Sequence, residues 1–435
     1  MSESEIKKNS PDNFELLSLY KQSDFKKVIL IAEKIIKKEK NNFNAYNFLG
    51  LAYKAIGELE RAEEVFFDII RKDPQNPSLF AIYTNTANLF YEIGQVNKSI
   101  VFYKASLELN KINIDASLGM GLALSSLGKD DAAINCYKKA LEVYPGHASL
   151  SYNIAQSLRK LERFKEASEY YTNSNERMSK SYKLECLYQS IDNKSDEKIF
   201  FNYLDNLNNK NYSNPLIACL SSHSSIRFSK KDNCNFCKNP FDFIEKYNLF
   251  DKNRFSENFI DELLYDINSS EITKKSQSLL KNGLQSSGNL FMLENKSIKK
   301  LKKIITENII EYRNNLKDKN IDFYKNWPKK STLYGWLITM ESGGNLLPHM
   351  HKEGWLSSSI YLKRPKKNEN HDGDIKFSLD GAGYASGDKN YPERIIDISQ
   401  GDMVMFPSSL FHSTIPFSSN ENRITFAFDI IPTSN

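Results

Sequence analysis

Residues 46–74 read YNFLGLAYKAIGELERAEEVFFDIIRKDP, and this stretch decides the architecture of the first half of the chain. Tyr46, Leu49, Gly50, Tyr53, Ala62 and Phe66 fall at helical spacing on either side of Gly57, and Pro74 closes the unit. The arrangement recurs. Ser23, Gly57, Gly94, Gly128 and Glu162 occupy equivalent places between two helical stretches, with spacings of 34, 37, 34 and 34 residues. Five residues after each stands a small or apolar residue: Val28, Ala62, Ser99, Ala133, Ala167. Four further on stand Ala32, Phe66, Tyr103, Tyr137 and Tyr171. The small residues let paired helices approach, and the larger ones fill the gap to the next pair.

A 34-residue period with these residues resembles the tetratricopeptide repeat. It implies an all-α solenoid over residues 1–173, about five repeats long, with a concave groove that binds a protein or peptide. Tyr152, Asn153 and Gln156 are placed either to face that groove or to be ordinary surface.

The remaining 262 residues exceed what the solenoid needs, and a chain of 435 forms more than one core. Composition is that of a soluble globular protein: 40% hydrophobic, 26% charged, net charge +5 with the two signs interspersed. No basic footprint points to nucleic acid. No apolar run approaches the 18 or so residues of a membrane span. The polar opening Met1–Asp12 has no apolar core of a signal peptide. The five scattered cysteines, an odd count, suit reduced thiols, so a cytoplasmic location is expected.

Residues 174–250 read as a helical cap and linker, with helices over Tyr182–Ser190 and Glu197–Leu207 and a polar break at Asn208–Asn211. Cys234 and Cys237 form a CxxC with His223 as the one other soft ligand close in sequence. A zinc site needs a fuller set, so two loop or half-buried thiols are the expectation.

Beyond residue 250 two helices, Asp261–Ile267 and Ser297–Leu316, lead into short strands: Leu333–Met340, Trp355–Leu362, Asp374–Leu379, Arg394–Ile398, Asp402–Phe406 and Arg423–Ile431. Gly- and Asn-rich turns separate them. The predicted fold of 251–435 is a double-stranded β-helix, or jelly roll, with flanking helices. The whole chain is thus a multidomain α + β protein.

Four of the six histidines lie in this last part, and three of them stand as His349-Met350-His351 and His412, followed by Arg423-Ile424-Thr425. On a strand, residues two apart face one way, so His349 with His351, or His351 with Glu353, can offer two ligands to one metal. His412, which follows Phe406–Phe411, a strand end running into a turn, supplies the third. Imidazoles around an open face suit Fe(II). Arg423 has the planar fork that grips a carboxylate, and Thr425 and Tyr361 can add hydroxyl donors. His371-Asp372 reads as a solvated loop. Trp336 and Trp355 read as core residues walling the pocket.

The stretches His349–Leu362, Gly373–Ser378, Gly401–His412 (GDMVMFPSSLFH), Thr414–Phe417 and Arg423–Ile430 resemble the 2-oxoglutarate/Fe(II) oxygenases attached to tetratricopeptide arrays. Asn239–Ile244 and Gly283–Phe291 fit the same family. The resemblance implies a hydroxylase-type dioxygenase with Fe(II) held by His349, His351 and His412, and 2-oxoglutarate held by Arg423. The chain departs from the wider pattern twice. Its first pair is His-x-His overlapping His-x-Glu, which keeps Glu353 as a competing ligand. Ser358 stands where glycine is expected and is placed to crowd or tune the site. Two other readings predict different behaviour: a repeat adaptor with a degenerate, non-catalytic β-helix, and a cupin-like three-histidine metalloenzyme needing no 2-oxo acid.

Overall fold

The computed structural model describes residues 11–251 and 254–433, so the first ten residues of the polar opening lie outside the described residues. Contacts divide the chain into two compact units, Met1–Ser179 and Lys180–Asn435.

The first unit is a series of helix pairs: α1 (Pro11–Lys21) with α2 (Phe25–Lys38), α3 (Phe43–Ala55) with α4 (Leu59–Lys72), α5 (Phe80–Glu92) with α6 (Val96–Leu109), α7 (Ile114–Ser126) with α8 (Asp130–Val143), and α9 (Ala148–Lys160) with α10 (Phe164–Thr172). Each pair turns at the residue singled out by the period. Ser23, Gly57, Gly94, Gly128 and Glu162 have φ of +60°, +86°, +79°, +71° and +57°. The next N–H in each case reaches five residues back, as in Glu58 to Tyr53 (2.9 Å) and Arg163 to Leu158 (2.9 Å). This is the left-handed helix stop that glycine adopts without strain, and that Ser23 and Glu162 adopt at a cost. The one 37-residue spacing has a local cause: a 3₁₀ turn, Pro77–Leu79, is inserted before α5.

Val28, Ala62, Ser99, Ala133 and Ala167 are all fully buried, as are Ala32 and Phe66. The rings stand on glycines. A Cβ on Gly50 would lie 2.3 Å from Phe66, and one on Gly121 would lie 2.2 Å from Tyr137. Both glycines belong to the first helix of the same pair, so these rings close their own repeat. Tyr103 instead stands against Gly119 of the following pair, as the sequence reading has it. A glycine inside a helix costs roughly 1 kcal/mol, and burying an aromatic ring returns more. The buried hydroxyls are satisfied: Tyr103 donates to Asn88 (2.5 Å) and Tyr171 to Gln156 (3.1 Å).

The second unit starts with helices α11 (Ser179–Gln189), α12 (Lys194–Asn209) and α13 (Pro215–Arg227). Sequence patterning finds the first two and misses α13, whose apolar and serine residues bury all round and give no amphipathic stripe. Contacts group these helices with the strands, whereas the sequence treats 174–250 as a separate cap and linker.

The strands are β1 (Glu245–Asn248), β2 (Lys274–Lys275), β3 (Leu280–Ser286), β4 (Ser331–Leu346), β5 (Leu356–Lys363), β6 (Ile375–Ser378), β7 (Glu393–Ile396), β8 (Asp402–Pro407), β9 (Phe411–Thr414) and β10 (Arg423–Pro432). They form two antiparallel sheets, ordered β1-β8-β5-β10-β4-β3-β2 and β7-β6-β9, the arrangement of a jelly roll. Phe377, Ile375, Val404, Phe406 and Leu410 form one buried cluster of this unit. Helix α14 (Glu257–Asn268) contains the expected Asp261–Ile267, and α15 (Lys296–Asn315) covers the expected Ser297–Leu316 except its last residue. β1, β2, β3 and β9 are too short or too polar to show the alternation that marks a strand.

Candidate functional site

β10 reads RITFAFDI from Arg423, an inverted strand pattern. Phe426, Phe428 and Ile430 bury on one face, while Arg423, Thr425, Ala427 and Asp429 share the other. Register fixes what they meet. On β4 they oppose Met340, Ile338, Trp336 and Tyr334; on β5, Thr425, Ala427 and Asp429 oppose Tyr361, Ser359 and Ser357. The polar face of the central strand therefore looks into a cavity of about 210 Å³, lined also by His349, His351 and His412.

The histidines converge through a main-chain contact. His349 and His351 follow β4 outside any strand, and His412 lies within β9, just after β8 ends and runs into a turn as the sequence predicts. A single antiparallel bridge joins His349 to His412, with N–H to carbonyl distances of 3.1 and 2.9 Å in the two directions. Residues so paired project to the same side. Ring centroids are 4.2 Å apart for His349 and His412, 5.2 Å for His349 and His351, and 5.0 Å for His351 and His412. One nitrogen of each lies within 4.8 Å of the others, a group that can hold a metal ion.

Each ring is fixed from behind. Nδ1 of His349 faces the Leu347 carbonyl at 2.8 Å, and Nδ1 of His412 faces the Leu410 carbonyl at 3.4 Å. A carbonyl only accepts, so both Nδ1 atoms carry the proton and both Nε2 atoms are left with a free lone pair. Nδ1 of His351 meets Asp429 Oδ1 at 2.7 Å. Burial, then the neighbouring imidazole of His351, pushes His349 down to about 4. Burial, then His349 and His351, pushes His412 well below the usual range. Free-base imidazoles are the form a metal requires.

Glu353 is not brought to the cluster. Its carboxylate accepts a hydrogen bond from Tyr182 of α11 at 2.8 Å. The neighbouring Lys352 pairs with Glu185 at 2.5 Å, so the turn after His351 is tied to α11 and carries Glu353 with it.

Arg423 is buried and makes no ion pair among the described residues. Its Nε donates to the Gly373 carbonyl (3.0 Å) and Nη1 to Thr425 (2.9 Å). Burial pulls its pKa below the usual arginine range. Its guanidinium carbon lies 5.0 Å from the centre of the Tyr361 ring, and the Tyr361 hydroxyl is buried with no hydrogen-bond partner. Burial pushes that phenol up to about 12. A desolvated guanidinium and an orphaned hydroxyl bordering one cavity fit an anionic ligand, because either left unmatched is costly. The nearby carboxylate of Asp374 is already engaged by Arg364 (2.7 Å) and Lys367 (2.9 Å).

The other candidates separate cleanly. Trp336 borders the cavity with its ring 5.6 Å from His351, but Trp355 is core, donating to the Phe323 carbonyl and stacking on that ring. Ser358 opposes Phe428, so pleating turns its side chain to the face away from Ser357 and Tyr361. The residue still borders the cavity. Cys234 and Cys237 are buried, 2% and 4% exposed, and join no metal-type cluster among the described residues. Burial pushes Cys234 up to about 12. His371 is partly exposed and bonds to Asp374.

Residues 334–429 match the family described as "Putative 2OG-Fe(II) oxygenase", and residues 45–78 and 118–173 match tetratricopeptide repeat families. The chain joins tetratricopeptide repeats to a domain of the 2OG-Fe(II) oxygenase family. The oxygenase-family match runs from β4 to Asp429 and so contains His349, His351, Glu353, Tyr361, His412, Arg423 and Thr425. A segment of 112 residues is 26% identical to the peroxisomal targeting signal receptor of Candida albicans (strain SC5314 / ATCC MYA-2876), covering 26% of this chain and 19% of that receptor. Among solved structures, MamA is 24% identical over 36% of this chain and 90% of its own, with a TM-score of 0.32. Pseudomonas aeruginosa PilF is 15% identical over 46% and 89%, with a TM-score of 0.38.

Sequence reasoning missed Asp429, Ser357 and Ser408 of the oxygenase-family domain. Asp429 carries a signal in hindsight: a lone carboxylate in an apolar strand, six residues after Arg423 and on the same face.

Proposed function

We propose that the protein is a 2-oxoglutarate- and Fe(II)-dependent oxygenase of the hydroxylase type, whose repeat unit recognises a protein or peptide. The observation that carries this reading is the pairing, across one cavity, of three imidazoles in the metal-ready tautomer with a buried guanidinium that lacks a carboxylate. His349, His351 and His412 hold the iron, and Arg423, Thr425 and Tyr361 hold the distal carboxylate of 2-oxoglutarate. When bound, the pair would supply the chemistry that uses dioxygen to hydroxylate a C–H bond, with succinate and carbon dioxide as by-products. Trp336, Ile338, Met340 and Phe406 wall the cavity with apolar surface and keep water from the reacting groups.

The repeats support a protein or peptide partner, because a solenoid exposes a continuous concave surface. None of the five cysteines is in a disulfide, which supports placement in the cytoplasm. No helix among the described residues is long and apolar enough to cross a membrane.

Anaerobic titration with Fe(II) and then 2-oxoglutarate is expected to give a weak visible charge-transfer band. Absence of that band, together with no succinate formed in air, would overturn the reading. Arg423→Ala is expected to weaken 2-oxoglutarate binding about 30-fold or more, as loss of one partner of a buried charge pair does, while iron still binds. A ligand set of three imidazoles and no carboxylate also favours a second reading, a three-histidine metalloenzyme that uses no 2-oxo acid. Metal-dependent turnover that Arg423→Ala leaves intact would select it.

A further inference from the structure

The three imidazoles are not anchored alike. Two lean on main-chain carbonyls, whose charge is fixed at zero. The third, His351, leans on a carboxylate. That carboxylate is itself held. Ser357 Oγ donates to Asp429 Oδ1 at 2.7 Å, lies 3.2 Å from His351 Nδ1, whose N–H it can also accept, and meets Ser408 at 2.8 Å. Ser357 has one proton and gives it to Asp429, so Ser408 is the donor of the second bond. The chain of bonds runs Ser408 to Ser357 to Asp429, with His351 as the opposing donor. Asp429 is 7% exposed.

The surrounding backbone is shaped to this network. A Cβ on Gly354 would stand 2.8 Å from Ser408 Oγ and 3.4 Å from the Asp429 carboxyl carbon. Only a residue without a side chain lets the turn after His351 pass over the Ser408–Asp429 pair.

A divalent ion held by three neutral imidazoles keeps its full double charge in a buried site, whereas a carboxylate ligand would halve it. Among the described residues the cluster has no carboxylate. Asp429 is the carboxylate that bonds one of its members.

We propose that Asp429 is a positioning residue that supplies, from behind His351, the negative charge the ligand set lacks, and so sets both the affinity for a divalent ion and the electron density at that ion. The inference rests on the metal-binding part of the function proposed above. Asp429 orients the ring through Nδ1 and makes Nε2 a stronger donor. Ser357 and Ser408 hold the carboxylate in line, and Gly354 leaves room for them.

The test uses the full-length protein and the variants Asp429→Asn, Asp429→Glu and Ser357→Ala, titrated anaerobically with Fe(II) and with Co(II). Asp429→Asn is expected to bind Fe(II) about 10- to 100-fold more weakly, the loss typical of an outer carboxylate. Its charge-transfer band with 2-oxoglutarate is expected at shorter wavelength, because a less electron-rich iron gives up an electron less readily. Its 2-oxoglutarate affinity, measured on the iron-saturated protein, is not expected to fall. Asp429→Glu should recover part of the iron affinity. Native affinity with an unmoved band in Asp429→Asn overturns the proposal. Should that variant not fold, Ser357→Ala keeps both the charge and the imidazole and must still weaken iron binding; unchanged affinity there overturns the proposal equally. Native protein that binds Co(II) and Fe(II) but not 2-oxoglutarate ends the oxygenase reading alone, since Co(II) affinity still reads Asp429. Native protein that binds no divalent ion ends both.

Discussion

In the helical unit, each pair supplies the same positions to the same tasks: a left-handed stop, a small or apolar residue at the helix contact and, in every pair but the first, an aromatic ring filling the space beside it. In the strand unit, His349, His351, His412, Arg423 and Asp429 each do something no other residue repeats. Damage should therefore be graded in the first unit and all-or-none at the site of the second. Substitutions in the two units test that contrast.

The largest effect is expected from His412→Ala, which should reduce bound iron to background in a metal-content assay while the protein stays folded. Iron retained at native stoichiometry would mean that the rings do not form one site. Next comes Phe66→Ala, which empties a fully buried position in the repeats. It should cost about 3–5 kcal/mol in denaturant unfolding. Its iron affinity should match native, because the site belongs to the other unit; a loss of iron would break the contrast.

Acid should act in the opposite sense. His349 titrates near 4 when folded and near 6.5 when unfolded, so between those values the unfolded chain binds the extra proton. Stability of the metal-free protein is then full above about 6.5 and declines as pH falls toward 4, by up to about 3 kcal/mol from this residue. Melting temperatures across that window check it, and a flat profile would refute it. The smallest effect concerns the turns. Glu162 holds the left-handed conformation that glycine holds in three other pairs. Glu162→Gly should raise stability by up to about 1 kcal/mol, read as a small upward shift in melting temperature.

How far the sequence could be read differs between the units for a physical reason. A left-handed stop every 34 residues leaves the same mark each time, so the five turns were legible down to Ser23 and Glu162, which break the glycine rule. The β domain leaves fewer marks. β10 was legible as a strand, and the three histidines, Arg423 and Thr425 were legible as one group. The convergence itself was not, because His349 meets His412 through a main-chain bridge that no side chain announces. Alternation suggested Glu353 as a ligand, but the chain after His351 is a turn tied to α11, so a two-residue period does not apply. Asp429 escaped because an outer carboxylate has no fixed spacing from the ligand it supports. α13 escaped because a helix buried all round lacks a stripe.

The anchors behind the rings also differ in what inheritance can do to them. The carbonyls of Leu347 and Leu410 belong to the peptide backbone, so no codon change deletes them. Asp429 is a side chain, one base away from asparagine. A lineage carrying this fold could retune its metal by that single change and leave every ligand untouched.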